Sequence, residues 1–393
     1  MGINRSTFHC FFTAVVYSNI RGVLIDMENK LKLGFGLMRL PKLEDGSIDV
    51  EQVKTMVDLF LEAGGTYFDT AFVYEGSEEA IRKALIERHP RDTFTLATKL
   101  NGWRASTKEE AEQQFVTSLE RTQAGYFDYY LLHSIRDTNY PIYEKFGLWD
   151  FVREQKEKGL IKHYGFSFHD TPDLLDRILT EHPDVDFVQL QINYADWENP
   201  AIASRGNWEV ARKHGKQVVI MEPVKGGILA ELPNQIGDRL KSYAPEASIA
   251  SWGIRFAASL DGILAVLSGM SNIAQMQDNL SYMKDFKPLS EEEQELIRLV
   301  QDDLNSLDRI LCTSCHYCEP GCPMNIPIPK IFGAWNMYKQ FNKKENAISN
   351  YNINCRLRNK ASACIQCGQC EGACPQHLPI ISLLETIAKE FEG

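Results

Sequence analysis

Four cysteines fall within twelve positions in "CTSCHYCEPGCP" (312–323), and the chain repeats the arrangement as "CIQCGQCEGACP" (364–375). Each run reads C-x₂-C-x₂-C-x₃-C-P: Cys312, Cys315, Cys318 and Cys322, then Cys364, Cys367, Cys370 and Cys374. Thiolates at i, i+3 and i+6 let a tight loop wrap three corners of an iron–sulfur cubane, while the fourth, followed by proline, leaves in another direction. Structural zinc is the rival. One tetrahedral ion needs only four sulfurs at ~2.3 Å, usually as two Cys pairs with a longer span between them. Two complete runs with proline endings favour clusters. The remaining cysteines are Cys10 and Cys355. Such clustering speaks for metal rather than disulfides, in a reducing and therefore cytoplasmic setting.

The runs resemble the two-cluster ferredoxins, and the helical insert between them resembles their α-helical branch. That resemblance implies two 4Fe-4S clusters with crossed ligation, since the fourth thiolate of each run there serves the other cluster. One would use Cys312, Cys315, Cys318 and Cys374, and the other Cys364, Cys367, Cys370 and Cys322. Crossed ligation would staple a small domain expected to have little core.

A second set of reactive types lies upstream. Asp69 and Tyr74 follow an apolar run in "TYFDTAFVYEGS" (66–77), Lys99 ends "FTLATKL" (94–100) and His133 ends "FDYYLLHS" (127–134). Singly, such a lysine is usually a solvated charge and such a histidine a hydrogen-bonded core residue. Jointly, all four fall at the C-terminal ends of expected strands.

The elements that must position them alternate. Strands are expected at 31–40, 66–71, 94–100, 127–134, 163–169, 187–193, 217–224 and 263–269, as continuous β-branched and aromatic runs suited to burial on both faces. Amphipathic helical stretches separate them. Over 48–63, Val53, Met56, Val57, Phe60 and Leu61 repeat with helical spacing, and Gly64-Gly65 supplies a stop. Eight such units in roughly 260 residues match a (β/α)₈ barrel, whose active sites assemble at the strands' C-terminal ends. A doubly wound sheet is disfavoured because "GFG" (34–36) leads into no Gly-x-Gly-x-x-Gly helix. The segment 289–308, with a Ser290/Glu293 capping box, reads as a helix joining barrel to tail. Helix is also expected over 328–341 and loop over 346–355. The organisation is thus a TIM barrel over 27–288, then a linker helix and a small, mainly helical ferredoxin-like domain over 289–393.

Residues 31 to about 287 resemble the aldo/keto reductase family, whose tetrad is Asp, Tyr, Lys and His on these strands. The resemblance implies NAD(P)H-dependent reduction of an aldehyde or ketone. Hydride addition leaves an alkoxide that must be protonated, and a phenol with a pKa near ~10 is a poor acid at neutral pH. Lys99 beside Tyr74 is expected to lower that pKa, with Asp69 holding Lys99 and neutral His133 orienting the carbonyl. Ser167 and Gln189 match the family's carboxamide-binding positions, although Phe168 stands where asparagine is common. Met221 occupies the place of the ring-stacking tyrosine. In 268–279, Asn279 matches the phosphate-binding stretch, whereas Gly269 and Gln275 replace its lysine and arginine, which weakens selection for the NADP 2′-phosphate. Lys225, Gly226 and Gly227 are read either as a pyrophosphate loop or as an ordinary loop. His169 and Glu222 are read as either pocket lining or packing.

Clusters carry single electrons and nicotinamide carries hydride, and no flavin fingerprint is present to split the pair. The tail therefore either exchanges electrons with a ferredoxin or flavoprotein partner or mainly staples and docks the domain. The alternative is an electron-transfer or regulatory protein with a weakly nucleotide-binding, low-turnover barrel. The net charge of −11 over 393 residues argues against sequence-independent nucleic-acid binding. No apolar segment approaches the ~18 residues that span a bilayer. Residues 1–26, with "FHCFFTAVVY" (8–17) only faintly like a signal peptide, are read as an extension, with translation expected to start at Met27.

Overall fold

The computed structural model describes residues 31–199, 202–306, 309–341 and 344–393. The extension 1–26 and the expected start at Met27 lie outside the described residues. Eight strands, β1 (Leu33–Gly36), β2 (Tyr67–Asp69), β3 (Thr95–Leu100), β4 (Phe127–Ile135), β5 (Ile161–Phe168), β6 (Phe187–Gln191), β7 (Gln217–Met221) and β8 (Ile263–Ser268), close into a parallel barrel. All eight strand expectations fall on these elements. Helices cover the barrel's outside, and the expected 48–63 helix is Val50–Glu62. Asp49 caps it by accepting from the Gln52 N–H at 3.0 Å, while Val53, Met56, Val57 and Phe60 bury its inner stripe. No helix among the described residues is long and apolar enough to cross a membrane.

Alternation along the strands decides which side chains reach the barrel interior. Tyr67, Ala97, Leu131, Phe187, Val219 and Ala265 form one apolar cluster inside it. Two residues further along β2, β3, β4, β6 and β7 come Asp69, Lys99, His133, Gln189 and Met221. The period of two that builds the inner core thus lifts those five onto the same face, one layer nearer the C-terminal mouth. Gly165 in β5 leaves room for that core, since a Cβ there would meet the Phe187 carbonyl oxygen at 2.3 Å.

The capping box at Ser290 and Glu293 starts the helix Glu291–Asn305. Its Ile297, Val300 and Leu304 pack with Tyr194, Leu229, Leu240 and Trp252 of the barrel. At about 1.5–3 kcal/mol per fully buried aliphatic side chain, the three contribute roughly 5–9 kcal/mol as an upper estimate.

The tail comprises helices Ile328–Phe341, Lys344–Asn354, Gln369–Ala373 and Ile380–Phe391. Two expectations are corrected here. Segment 346–355, expected as loop, is largely helical, because Ala347 and Tyr351 sit one turn apart and are both buried. The Tyr351 hydroxyl also donates to Glu392 at 2.6 Å and accepts from the Ala361 N–H at 2.8 Å. The tail does not lack a core either: Ile331, Phe332, Trp335, Leu384, Ile387 and Phe391 are buried together.

The tail folds back over the barrel mouth. Gln191 and Gln376 exchange reciprocal side-chain amide hydrogen bonds of 3.1 and 3.2 Å. The Arg136 guanidinium donates to the carbonyls of Gly372 and Cys374, and His377 Nε2 lies 3.1 Å from the His169 carbonyl. Gly226, at φ +65°, lets the loop after β7 approach Thr313 of the tail, where a Cβ would come within 2.8 Å.

Candidate active site

Asp69 ends β2, and Tyr74 stands in the loop that follows it. Lys99 comes from β3 and is fully buried; its Nζ donates to Asp69 Oδ1 at 2.5 Å and to the Thr70 carbonyl at 2.6 Å. The second Asp69 oxygen accepts from Gln189 Nε2 at 3.1 Å. Burial pushes the Asp69 carboxyl up and the Lys99 ammonium down, each opposed by the other's charge. Lys99 Nζ lies 5.1 Å from the centre of the Tyr74 ring, and the His133 ring meets that ring edge-on at 5.9 Å.

His133 is set by local backbone geometry. The β4–β5 register shifts between Leu132 and Ile135, and Ser134 adopts a left-handed φ of 59°, uncommon for a residue with a Cβ. The Ser134 N–H donates to Ser167 Oγ at 2.6 Å, which ties the bulge to β5. Burial, with Lys99 and Arg104 nearby, holds the His133 imidazolium well below its usual range, so the ring is neutral at pH 7, as expected from the sequence. Among the described residues its Nδ1 has no hydrogen-bond partner.

The expected lowering of the Tyr74 pKa is not found. Burial, then Tyr317 and Asp69, push this phenol well above its ordinary value, and Arg39 opposes them. The physical reason is burial, which disfavours the phenolate, reinforced by the neighbouring Tyr317 and Asp69.

His169 is likewise held neutral, by burial first and then by the Arg136 cation. An unfolded histidine titrates near ~6.5. Below that pH the unfolded chain takes up protons that His133 and His169 refuse, so their contribution to stability falls with pH, by about 1.4 kcal/mol per unit each. Denaturant unfolding at about pH 7.5 and 5.5 checks this. His133→Gln should remove about one proton from the slope, and an unchanged slope would count against the neutral ring.

Tyr74, His133 and Gln189 line a cavity of ≈ 90 Å³ whose roof is Cys315, Tyr317 and Gln376 of the tail. Met221, His169 and Glu222 line it too. Glu222 carries a left-handed φ of 58° and an ion pair with Arg39 at 3.5 Å. A groove of ≈ 220 Å³ adjoins it, sharing Arg39, Glu222, Leu267 and Gly269, and continues past Gly227, Ser268, Gln275 and Asn279. Asn279 is held by Ser268 Oγ at 2.6 Å and by the Tyr282 hydroxyl at 2.6 Å. Gln275 Oε1 accepts from the Ser271 N–H at 2.7 Å.

Lys225 does not fit the pyrophosphate reading. It is buried, with Nζ 2.6 and 2.7 Å from the Asp196 oxygens and 2.8 Å from Gln376 Oε1. Gly227 does line the groove, while Gly226 faces Thr313. Sequence reasoning missed Arg39, Arg136, Tyr317 and Gln376. Tyr317 and Gln376 lie in or beside the cysteine runs, where they read as spacers.

The cysteines divide into two sets of four. Cys312, Cys315, Cys318 and Cys374 line one cavity together with Ile328, Phe332 and Ile380. Cys322, Cys364, Cys367 and Cys370 line another with Ile326 and Leu384. Each set thus joins three sulfurs of one run to the fourth of the other. Among the described residues no group of three or more His, Cys, Asp and Glu side chains stands close enough to hold a metal ion. Burial pushes the Cys312 and Cys370 thiols up to about 11, so metal must replace their protons for them to act as ligands.

A parallel barrel with a buried Asp–Lys pair behind a mouth-facing tyrosine and histidine, roofed by a cysteine-rich helical module, defines a barrel protein of the oxidoreductase type. The chain belongs to the aldo/keto reductase family, whose model matches residues 32–302. A 4Fe-4S dicluster domain matches residues 311–378. Among relatives, a probable aldo-keto reductase of Glycine max is 30% identical over 42% of this chain and 48% of its own. The uncharacterized oxidoreductase YqkF of Bacillus subtilis is 26% identical over 67% of this chain and 90% of its own. The matched region spans only 48% and 59% of the Glycine max and Strobilurus tenacellus relatives. Among solved structures, the holo aldo-keto reductase AKR11C1 of Bacillus halodurans superposes with a TM-score of 0.54 at 25% identity, covering 68% of this chain and 91% of that one. A Klebsiella pneumoniae aldo/keto reductase in complex with NADP and acetate shares the fold at a TM-score of 0.56 and 23% identity, covering 69% and 91%.

Proposed function

We propose that the protein reduces small aldehydes or ketones, with Tyr74 as the proton donor, and that its tail carries two 4Fe-4S clusters. The observation that carries the reading is the buried Asp69–Lys99 pair standing behind Tyr74 and His133 in one cavity. A nicotinamide nucleotide, when bound, supplies the hydride. The continuous cavity and groove suit an extended dinucleotide: Gln189 and Met221, which line the cavity, would meet the nicotinamide, and Gly269, Gln275 and Asn279, which line the groove, would meet the adenosine part. Ser167 does not line the cavity, and its hydroxyl accepts from the Ser134 N–H. NADP is the ligand of the Klebsiella structure.

The chain's own residues then do the following. His133, neutral, donates a hydrogen bond to the carbonyl oxygen and fixes its direction. Tyr74 gives its phenolic proton to that oxygen as negative charge grows there. Lys99, anchored by Asp69, lies near enough to stabilise the phenolate left behind. The tail roof excludes bulk water, and a 90 Å³ cavity, on the order of six water positions, suits a small substrate. The Yersinia pestis relative is named methylglyoxal reductase, which puts small oxoaldehydes in the test panel.

In the tail, Cys312, Cys315, Cys318 and Cys374 would hold an inner cluster, and Cys322, Cys364, Cys367 and Cys370 an outer one, each supplying a one-electron carrier. A second reading, an electron-transfer or regulatory protein with a weakly binding barrel, is favoured by one observation. Lys225 is sequestered and Arg39 is bridged to Glu222, so the groove offers a phosphate little free positive charge. A ferredoxin or flavoprotein would be the partner in that case.

Anaerobic purification should give about eight irons per chain. NADH or NADPH oxidation that depends on added methylglyoxal or another small aldehyde supports the enzyme. With no free guanidinium for the 2′-phosphate, the two nucleotides should differ less than about tenfold in KM. Cluster bleaching by nicotinamide without any aldehyde would instead support the second reading.

A further inference from the structure

Arg136 immediately follows β4 and is a barrel residue, but its side chain is spent on the tail. It is buried, and its Nη1 donates to the Gly372 carbonyl at 2.8 Å and to the Cys374 carbonyl at 3.2 Å. No carboxylate among the described residues forms an ion pair with it, and Asp170 acts on it only through space. A guanidinium out of water costs several kcal/mol unless opposite charge compensates it. Besides Asp170, the charges that favour the guanidinium are those of Cys374 and Cys315, members of one cysteine set.

We propose that Arg136 is a barrel-borne cation that raises the reduction potential of the cluster held by Cys312, Cys315, Cys318 and Cys374. The inference rests on the ligation proposed above. A 4Fe-4S centre with four thiolates gains one negative charge on reduction, and its potential follows net charge, hydrogen bonding and solvent exposure. Burial against the barrel disfavours that extra charge, and a fixed cation hydrogen-bonded to the backbone carbonyl of a ligand cysteine favours it. Arg136 therefore keeps a buried cluster reducible. The outer set needs no such device: Cys367 is exposed, and water stabilises added charge there. Arg358 in the tail donates to the Asn325 and Ile326 carbonyls and pairs with Glu319 rather than with a ligand cysteine.

The location gives the effect a use. Cys315 and Gln376 belong both to the wall of the inner cysteine cavity and to the roof of the cavity that holds Tyr74. An electron on the inner cluster is thus held one wall away from the barrel's site. The transfer balances at one electron: a one-electron reductant, dithionite in the test, reduces the outer cluster, which is reoxidised as the inner one is reduced. Arg136 stays protonated and no bond is made or broken.

The test is an EPR-monitored dithionite titration of the full, anaerobically purified chain. Cys367→Ser perturbs the outer cluster, so the midpoint it leaves in place is the inner one. Arg136→Met should weaken the inner cluster's hold on its electron at least tenfold, which for a one-electron couple is about 59 mV. The outer midpoint should stay fixed, and Arg136→Lys should recover most of the shift. Unmoved midpoints at full iron content would overturn the proposal. If Arg136→Met loses iron, Arg136→Gln is compared with Arg136→Lys: a lower inner midpoint in the glutamine variant supports it, and equal midpoints overturn it. A wild-type chain holding fewer than two clusters sinks the ligation reading instead, and iron and sulfide content reports that separately.

Discussion

Replacing Tyr74 by phenylalanine is expected to lower kcat/KM for aldehyde reduction by roughly 10² to 10⁴, the range typical of a lost general acid. The phenol is the one proton donor that combines cavity exposure, a nearby ammonium and a neutral histidine at its edge. Among the described residues its hydroxyl forms no hydrogen bond, so removing it leaves no buried partner stranded there and should move stability by less than about 0.5 kcal/mol. The loss should therefore appear in kcat with the thermal midpoint unchanged. In the wild type the phenol is held well above its ordinary value, so it keeps its proton across the neutral range. The acid-dependent step should run flat through neutrality and fall only in strongly alkaline solution. A Tyr74→Phe protein that keeps full activity and the same pH profile would remove Tyr74 from the chemistry and shift the role to His133.

The parts of this picture that were legible in the sequence are those whose signal is local. The eight strands show themselves because residues buried on both faces must be apolar without interruption. Asp69, Lys99 and His133 show themselves because each lies at the end of such a run, and Tyr74 because it follows Asp69 in the next loop. The two cysteine sets follow from spacing together with the ferredoxin resemblance. What failed to show depends on distant partners. Arg136 and Cys374 are 238 positions apart, and Gln191 and Gln376 are 185 apart, so nothing in either neighbourhood announces the other. Segment 346–355 carries four asparagines and little helical propensity, but the burial of Ala347 and Tyr351 overrides that preference. The Tyr74 pKa failed for an electrostatic reason of the same kind. Sequence order supplies a lysine near a tyrosine, but only the packed structure sets the burial of the phenol and brings Tyr317 of the tail beside it.

Lys225 is the most instructive of these, and its replacement carries the second large expected effect. Followed by two glycines, it reads locally as an anion-binding loop. In the fold it turns inward, and Asp196, fully buried, takes two of its three hydrogen bonds. That carboxylate also accepts from Gln191 Nε2 at 3.0 Å and Asn193 Nδ2 at 2.8 Å, so the network is closed except for the link to Gln376 of the tail. Lys225→Met removes the only full positive charge in it and leaves an uncompensated buried carboxylate, at a cost of about 3–5 kcal/mol. Gln376 Oε1 loses its ammonium donor in the same change and keeps only Gln191. The destabilisation should therefore be accompanied by faster amide exchange across Gly372–His377, where the tail grips the barrel. Adding Asp196→Asn should return at least half of the lost stability, because a neutral amide there no longer demands a counter-ion. Denaturant unfolding gives the first quantity and hydrogen exchange the second. A Lys225→Met protein with unchanged stability and unchanged protection over that stretch would mean that this buried pair does not hold the roof onto the barrel.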